Sequence, residues 1–505
     1  MPRYCLCLTF VAVVAAGVSN ADAGKPNVVI LYADDMGFGD LGANNPASKI
    51  PTPNLDRLAA EGMRFTDGHS SSGICTPSRY ALLTGRHHWR DFHGIVNAFG
   101  PSVFADERVT LPELLRSGGY ATAAVGKWHL GWDWDAIRRP EAKQVKKERG
   151  RPVLAHTDYD WSKPIPDGPL AHGFDYYFGD NVINFPPYCW IENDRVLDVP
   201  DMTIDGKFDE PTKEGRWEAR PGPMVSGWDF YAVLPTITDR AVGYIEERVG
   251  DTQPFFLYVP FPSPHAPIIP NDEFDGTSDA GPYGDFVVET DAMCGKILDA
   301  LDAHGCADDT IVVFTADNGP EKYAYARDEK FGHWSAEPFR GLKRDIYEGG
   351  HHVPFLIKWP GVTEPGAVCD ALVSQIDLMA TLAAAAGLDL PAENAAEDSF
   401  DITPLLRGQA SAVRDVHVHN TREGRYAIRV GDYVLVAAKD GYQSGRNAAW
   451  EQARGYPADD GGPVELFDVR KDVGQKTDLA SALPEKVEEL RALLDEILAG
   501  ERTAP

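Results

Sequence analysis

Asn27-Val28-Val29-Ile30-Leu31-Tyr32-Ala33-Asp34-Asp35 is a short apolar run, rich in β-branched residues, that stops on two adjacent carboxylates. The run predicts a strand from Asn27 to Ala33 that is buried on both faces. Further such runs occur at Ala121 to Val125, Phe255 to Val259, Ile311 to Thr315 and Pro354 to Lys358. Helical patterns lie between them. One opens at Thr52-Pro53 and runs through Ala60, with Thr52 as N-cap, and others cover Leu111 to Ser117, Pro235 to Glu247, Asp285 to Ala303 and Ile376 to Ala386. Strands alternating with helices predict an α/β fold, a large and mostly parallel sheet flanked by helices on both faces. In such sheets the working groups collect beyond the carboxyl ends of strands, where Asp34-Asp35 and Asp317-Asn318 both fall. After about residue 410 the texture changes to a hairpin, Ala427 to Val430 and Tyr433 to Ala437, and a terminal helix from Glu485 to Leu498. That predicts a smaller C-terminal α+β domain.

A chain of 505 residues exceeds what one core usually organises. Arg3 precedes an apolar run from Tyr4 to Val18, and Ala21-Asp22-Ala23 offers a small-residue cleavage site, the pattern of a secretory signal peptide. The run is too short to span a bilayer comfortably and no second one follows. The expected organisation is a signal peptide at 1–23, a catalytic domain at 24–410 and a C-terminal subdomain at 411–505. The protein is expected to be exported to a bacterial periplasm or secreted, without membrane insertion. The absence of any Asn-x-Ser/Thr sequon fits a bacterial origin. Beyond the signal, Cys75, Cys189, Cys294, Cys306 and Cys369 remain, and the last four leave three disulfide pairings open. The net charge of -29 excludes nucleic acid as a partner. A local basic segment, Arg138, Arg139, Lys143, Lys146, Lys147, Arg149 and Arg151, reads as a solvated insertion before it reads as a substrate guide. Residues 132–230 read as long loops that border the site, in which Tyr188 and Trp190 could form a sugar platform or simply pack the loop.

Two acid-containing pairs, each after a buried strand, suit a hard divalent cation. Asp34, Asp35, Asp317 and Asn318 point to calcium, with magnesium open. Gly119-Tyr120-Ala121-Thr122-Ala123-Ala124-Val125-Gly126-Lys127-Trp128-His129-Leu130-Gly131 places a lysine and a histidine two apart, on one face of an extended segment, where both can meet one anion. Pro262-Ser263-Pro264-His265-Ala266-Pro267 follows a strand, and Phe339-Arg340-Gly341-Leu342-Lys343-Arg344-Asp345-Ile346-Tyr347-Glu348-Gly349-Gly350 carries another lysine. The most specific stretch is Cys75-Thr76-Pro77-Ser78-Arg79-Tyr80-Ala81-Leu82-Leu83-Thr84-Gly85-Arg86. Taken alone, a cysteine is more often a buried small hydrophobe than a reactive group.

In this order, these motifs resemble the sulfatase family of the alkaline phosphatase-like superfamily, in particular its arylsulfatase A and N-acetylgalactosamine-6-sulfatase type. The resemblance spans about residues 27 to 410. It implies that a maturation enzyme oxidises Cys75 to Cα-formylglycine, whose hydrate is the nucleophile. It further implies calcium held by Asp34, Asp35, Asp317, Asn318 and position 75. The catalytic set is then Cys75, Arg79, Lys127, His129, His265 and Lys343, with Lys127, Lys343, His265 and Asn184 contacting a sulfated carbohydrate or aryl sulfate. Asn184 is chosen over Asn181 after His172-Gly173-Phe174, where the family pattern has no clear match. The Leu342-Lys343-Arg344 run also departs from the Gly-Lys-Gly common in the family, and its bulk could narrow the pocket. Two rival functions are a phosphate or phosphonate monoester hydrolase of the same fold, and a non-catalytic sugar-binding protein in which Cys75 stays a thiol.

Overall fold

A computed structural model describes residues 24–143, 146–148, 151–208, 211–456 and 462–504. The expected signal segment 1–23 lies outside the described residues, as does Arg149 of the basic segment. The predicted strand Asn27–Ala33 sits near the middle of a ten-stranded sheet. Thr310–Ala316 pairs with it in parallel on one side and Phe255–Pro260 on the other, followed by Ala121–Lys127 and Tyr176–Asn181, all parallel. Phe355–Lys358 runs antiparallel to Thr310–Ala316 and begins the sheet's other flank.

Alternate residues of Asn27–Ala33 feed two different cores, which is why the run is apolar throughout. Val28, Ile30 and Tyr32 pack on one face with Leu82, Leu111, Leu115 and Leu378. Val29, Leu31 and Ala33 pack on the other with Leu55, Leu58, Ile237 and Ile297. The covering helices Pro53–Glu61, Val233–Glu247 and Gly281–Ala303 were all legible in the sequence. One detail differs: the Thr52 side chain does not cap its helix, but accepts from the Gly42 N–H at 2.9 Å and donates to Asp56.

The long stretch 132–230 is not wholly loop, since Tyr176–Asn181 extends the central sheet and ends on Asp180 and Asn181. Tyr188 and Trp190 pack it. Tyr188 is fully buried, its hydroxyl 2.8 Å from the Arg220 carbonyl, and Trp190 stacks on Phe178 and tilts against Trp228. The five cysteines among the described residues are all free, so none of the disulfide pairings left open is formed.

The C-terminal part is a four-stranded antiparallel meander, Val416–Arg422, Arg425–Val430, Tyr433–Ala437 and Glu465–Asp468. The predicted hairpin turns at Gly431-Asp432, where Gly431 takes φ 57°. One face buries Val418, Ile428, Leu435 and Leu466 under Leu490 and Leu494 of the terminal helix Pro484–Ala499. The other face packs Ala427, Val434, Val436 and Phe467 against Ile346 and Tyr347. This small sheet therefore backs the segment that carries Lys343.

Candidate active site

Three parallel strands end side by side and deliver the acidic groups. The Ser263 carbonyl accepts from the Asp34 N–H at 2.9 Å, and the Ala33 carbonyl accepts from the Asp317 N–H at 3.0 Å. Asp35 turns the chain sharply with φ 65°, which aims successive carboxylates into one buried volume. Beside them, Cys75 is the first residue of the helix Cys75–Thr84, every residue of which is buried. Sequence reading left this motif without a secondary structure because its apolar residues surround the helix instead of striping it. Gly319 lets the Asn318 loop lie against the Lys343 segment, since a Cβ there would stand 1.9 Å from the Gly349 carbonyl oxygen.

The expected groups meet at this point. Ligand atoms of Asp34, Asp35, Cys75 and His265 all lie within 4.8 Å of one another. Cys75 Sγ is 3.7 Å from Asp34 Oδ1. Arg79 donates from Nε and Nη2 to Asp317 Oδ2 at 3.0 and 2.7 Å, and from Nη1 to the Lys127 carbonyl at 3.3 Å. Lys127 Nζ donates to Asp34, and Lys343 Nζ lies 2.6 Å from Asp35 Oδ1 and 2.8 Å from Oδ2. Asn318 Nδ2 donates to Asp35 Oδ1 at 2.6 Å, while Asn318 Oδ1 is buried with no partner. His265 Nε2 stands 3.7 Å from Asp35 Oδ2, with its side chain 12% exposed.

His129 reaches the site by a different route from the one expected. The strand stops at Lys127 and His129 takes φ 55°, so the two side chains do not share a strand face. His129 Nε2 donates to the Val96 carbonyl at 2.9 Å, which leaves Nδ1 as the free, buried nitrogen. Asn184 is buried one residue from Phe185, whose ring meets His129 edge-on at 5.4 Å, and Asn184 Oδ1 has no partner. Leu342 turns into the core, and Arg344 pairs with Glu321 at 2.5 Å, so the departure from Gly-Lys-Gly places a charged pair beside Lys343. Asp180 was missed by sequence reading. It lies at the end of the unpredicted strand, buried, with neither carboxylate oxygen partnered.

The cradle sets three buried carboxylates, Asp34, Asp35 and Asp317, against three buried cations, Lys127, Lys343 and Arg79. Burial, reinforced by repulsion from Asp34, pushes Asp317 up to about 6, and burial partly offset by Lys343 leaves Asp35 at about 6. Burial would raise Asp34 too, but Lys127, His265 and Arg79 hold it well below the usual range. Burial pushes Asp180 up to about 7. Burial and the Asp317 charge push the Cys75 thiol up to about 12, so the unmodified side chain is not a thiolate at neutral pH. Burial and Lys343 lower His265 to about 4, and burial with Lys127 lowers His129 well below its ordinary value. The oxygen-rich set and the unpartnered Asn318 Oδ1 fit a hard divalent cation.

Residues 26–388 match the family model for sulfatases, and residues 341–436 match the model for the C-terminal region of N-sulphoglucosamine sulphohydrolase. The chain belongs to the sulfatase family. This sulfatase is accordingly a sulfuric ester hydrolase. It is 32% identical over 507 residues to an N-acetylgalactosamine-6-O-sulfatase of Bacteroides thetaiotaomicron, covering 94% of this chain and 93% of that one. It is 33% identical over 500 residues to arylsulfatase A of Homo sapiens, covering 95% and 88%. A solved structure from work on glycosaminoglycan metabolism by Bacteroides thetaiotaomicron superposes with a TM-score of 0.78 at 29% identity, covering 94% of this chain and all of that one. Its fold is therefore that of the solved sulfatases. Among the described residues, no helix is long and apolar enough to cross a membrane.

Proposed function

We propose that this sulfatase hydrolyses a sulfate ester carried by a sugar, with 6-O-sulfated N-acetylgalactosamine the first substrate to try. The substrate class follows from the names of the two N-acetylgalactosamine-6-sulfatase relatives from Bacteroides thetaiotaomicron and Mus musculus. Residues 24–410 form the catalytic unit and 411–505 the subdomain behind Lys343, and export follows if residues 1–23 act as a signal. The observation that carries the mechanism is the position of Cys75 Sγ, 3.7 Å from Asp34 Oδ1 at the mouth of the oxygen-rich cradle.

Asp34, Asp35, Asp317 and Asn318 would hold calcium, which supplies charge neutralisation. Position 75, oxidised by a maturation enzyme to formylglycine, would supply a hydrated aldehyde oxygen as nucleophile in place of a thiol. The chain's other groups then divide the remaining work. Lys127 and Lys343 direct two ammonium groups at the sulfuryl oxygens, where negative charge accumulates. Arg79 locks Asp317 through two hydrogen bonds and keeps it from turning away. His265 Nε2, on the open side of the cluster, protonates the leaving oxygen once an anion enters and raises its pKa. His129 accepts a proton at Nδ1, because the Val96 carbonyl holds the hydrogen on Nε2. Asn184 binds the substrate from the Phe185 side of His129.

The test is peptide mass spectrometry across Cys75 on protein made with the maturation enzyme, followed by turnover of sulfated sugars. Conversion of thiol to aldehyde lowers the peptide mass by about 18 Da. An unmodified thiol in fully active protein, or retained turnover in Cys75→Ala, would overturn the nucleophile. Faster turnover of a phosphate ester than of the sulfate ester with the same leaving group would overturn the substrate class.

A further inference from the structure

A second cluster, remote in chemistry from the first, lies where the C-terminal meander meets two short segments at residues 68–69 and 348–351. His69 ends the two-residue strand Gly68–His69, His351 follows the turn Glu348–Gly350, and His417 and His419 lie on Val416–Arg422. All four are buried, and His417 and His419 are each 2% exposed with neither ring nitrogen partnered. One nitrogen from each of His69, His351 and His417 lies within 4.8 Å of the others.

The hydrogen bonding orients two of these rings inward. His69 Nε2 donates to Asp67 Oδ1 at 2.7 Å, which leaves a lone pair on Nδ1. That nitrogen faces His351 Nδ1 at 3.0 Å. A neutral His351 ring carries one hydrogen, which on Nδ1 is donated to His69 and on Nε2 leaves both Nδ1 lone pairs free. With the hydrogen on Nε2, a metal ion would accept both Nδ1 lone pairs at the separation already present.

We propose that His69, His351 and His417 form a binding site for one divalent transition-metal ion, zinc foremost, distinct from the oxygen-rich cradle. Imidazole ligands select borderline cations, while calcium takes oxygen. Zinc–nitrogen bonds of about 2.0–2.1 Å put tetrahedral ligand nitrogens about 3.3 Å apart, close to the separation already present between His69 and His351. Asp67 is the carboxylate that orients a ligating histidine from behind. Glu348 Oε2, 4.0 Å from His69 Nδ1, is the anion on the inward side that could balance the charge or complete the coordination. Arg429, 2.6 Å from Asp67, is the opposing cation. A cavity of about 480 Å³ is lined by Asp67, Glu348, His352 and Arg429, which border the histidines. The ion would join the C-terminal meander to the short strand Gly68–His69 and to the turn Glu348–Gly350. The strand precedes Cys75 and the turn follows Lys343. This proposal does not depend on the substrate or on the state of position 75.

The experiment uses full-length protein stripped with a chelator, saturated with calcium, then titrated with zinc and, separately, cobalt. Elemental analysis should find one zinc per chain, zinc should raise the thermal midpoint, and cobalt should give the intense visible bands of a tetrahedral nitrogen-ligated ion. His417→Gln should weaken zinc binding at least about 100-fold, and Asp67→Asn about 10–100-fold, while Asp317→Asn leaves it unchanged. Failure of the wild-type chain to retain zinc under saturating calcium overturns the site. So does zinc that is kept by His417→Gln and lost in Asp317→Asn, which would place the ion in the catalytic cradle. Because the cobalt spectrum is read on the wild-type chain, a variant that misfolds does not decide the result.

Discussion

Replacing Lys343 by methionine should move two measurable quantities in opposite directions. The Lys343 ammonium sits 2.6 and 2.8 Å from the two oxygens of Asp35, both groups are buried, and it is the main counter-charge for that carboxylate. A calcium ion that takes Asp35 oxygens at about 2.3–2.6 Å would lie about 5 Å from the ammonium. With an effective dielectric of about 20, the repulsion between charges of +2 and +1 at that distance is about 7 kcal/mol. Allowing two-thirds of this for screening and for the ammonium swinging aside leaves about 2 kcal/mol, or about thirtyfold in affinity. Lys343→Met should therefore bind calcium about thirtyfold more tightly than wild type by titration calorimetry on chelator-stripped protein. It should also lose about 10²–10³-fold in kcat/KM on an aryl sulfate, the usual cost of removing one charge-stabilising donor. The apo variant should be less stable, by about 3–5 kcal/mol for the unpaired buried carboxylate, and calcium should restore more of its thermal midpoint than it adds to wild type. Calcium affinity that falls together with activity would refute the reasoning, because Lys343 would then be building the cradle instead of competing for it.

Asp180 has its folded pKa raised to about 7, above the ordinary 3.8, so its ionisation destabilises the fold above pH 7 and the penalty fades as pH falls towards 4. Asp180→Asn should be the more stable protein at pH 8, by at most about 4 kcal/mol, with the gap closing in acid; an equal gap at pH 8 and pH 4 in denaturant titrations would exclude this. Arg414 donates to Asp377 and, at 3.1 Å, to the Asp398 carbonyl, with both members of the ion pair buried. Arg414→Met should cost about 3–5 kcal/mol. With an unfolding entropy of about 2.1 cal/mol/K per residue over 505 residues, that is a fall of about 3–5 °C in scanning calorimetry, and a fall below about 1 °C would speak against it. Tyr188→Phe removes a hydroxyl that serves the Asn184 and Arg220 carbonyls and accepts from the Arg220 N–H, so it should lower stability by about 1–3 kcal/mol. KM for a sulfated sugar should stay within about twofold, whereas a tenfold rise with unchanged stability would restore the sugar-platform reading.

The parallel core was legible because its strands are apolar on both faces and end in chemically distinctive residues. Asn27–Ala33 announces itself by composition, and Asp34-Asp35 marks its carboxyl end. Tyr176–Asn181 was not legible: Tyr, Phe, Gly, Asp and Asn mix strand and turn preferences, and only pairing with Ala121–Lys127 makes it a strand. Asp180 was lost with it. His129 was found through its motif, but the face-sharing argument failed because a left-handed turn is invisible to a period-two count. The histidine cluster had no sequence signal at all. His69 and His351 meet where their segments pair, and His417 joins them only through the docking of the C-terminal sheet, across separations no spacing rule covers.

The net charge of -29 opposes any anionic substrate at long range, but the site itself is balanced. Asp34, Asp35 and Asp317 face Lys127, Lys343 and Arg79, and every one of these six is buried. At physiological salt the surface charges are screened beyond about 8 Å, so the local balance decides what binds. Binding of a divalent cation would turn a neutral pocket into one carrying two positive charges, and a sulfate ester would then lower that charge again. Each ligand therefore strengthens the other, and by linkage the factor is the same in both directions. Lys127 and Lys343 donate to the carboxylates of Asp34 and Asp35. On the proposed reading, a cation that took Asp34 and Asp35 would release Lys127 and Lys343 from those bonds and leave their hydrogens for the sulfuryl oxygens. The cation's charge and the freeing of the two lysines would then be one event, and a cradle without Lys127 or Lys343 would hold its metal well and its substrate poorly.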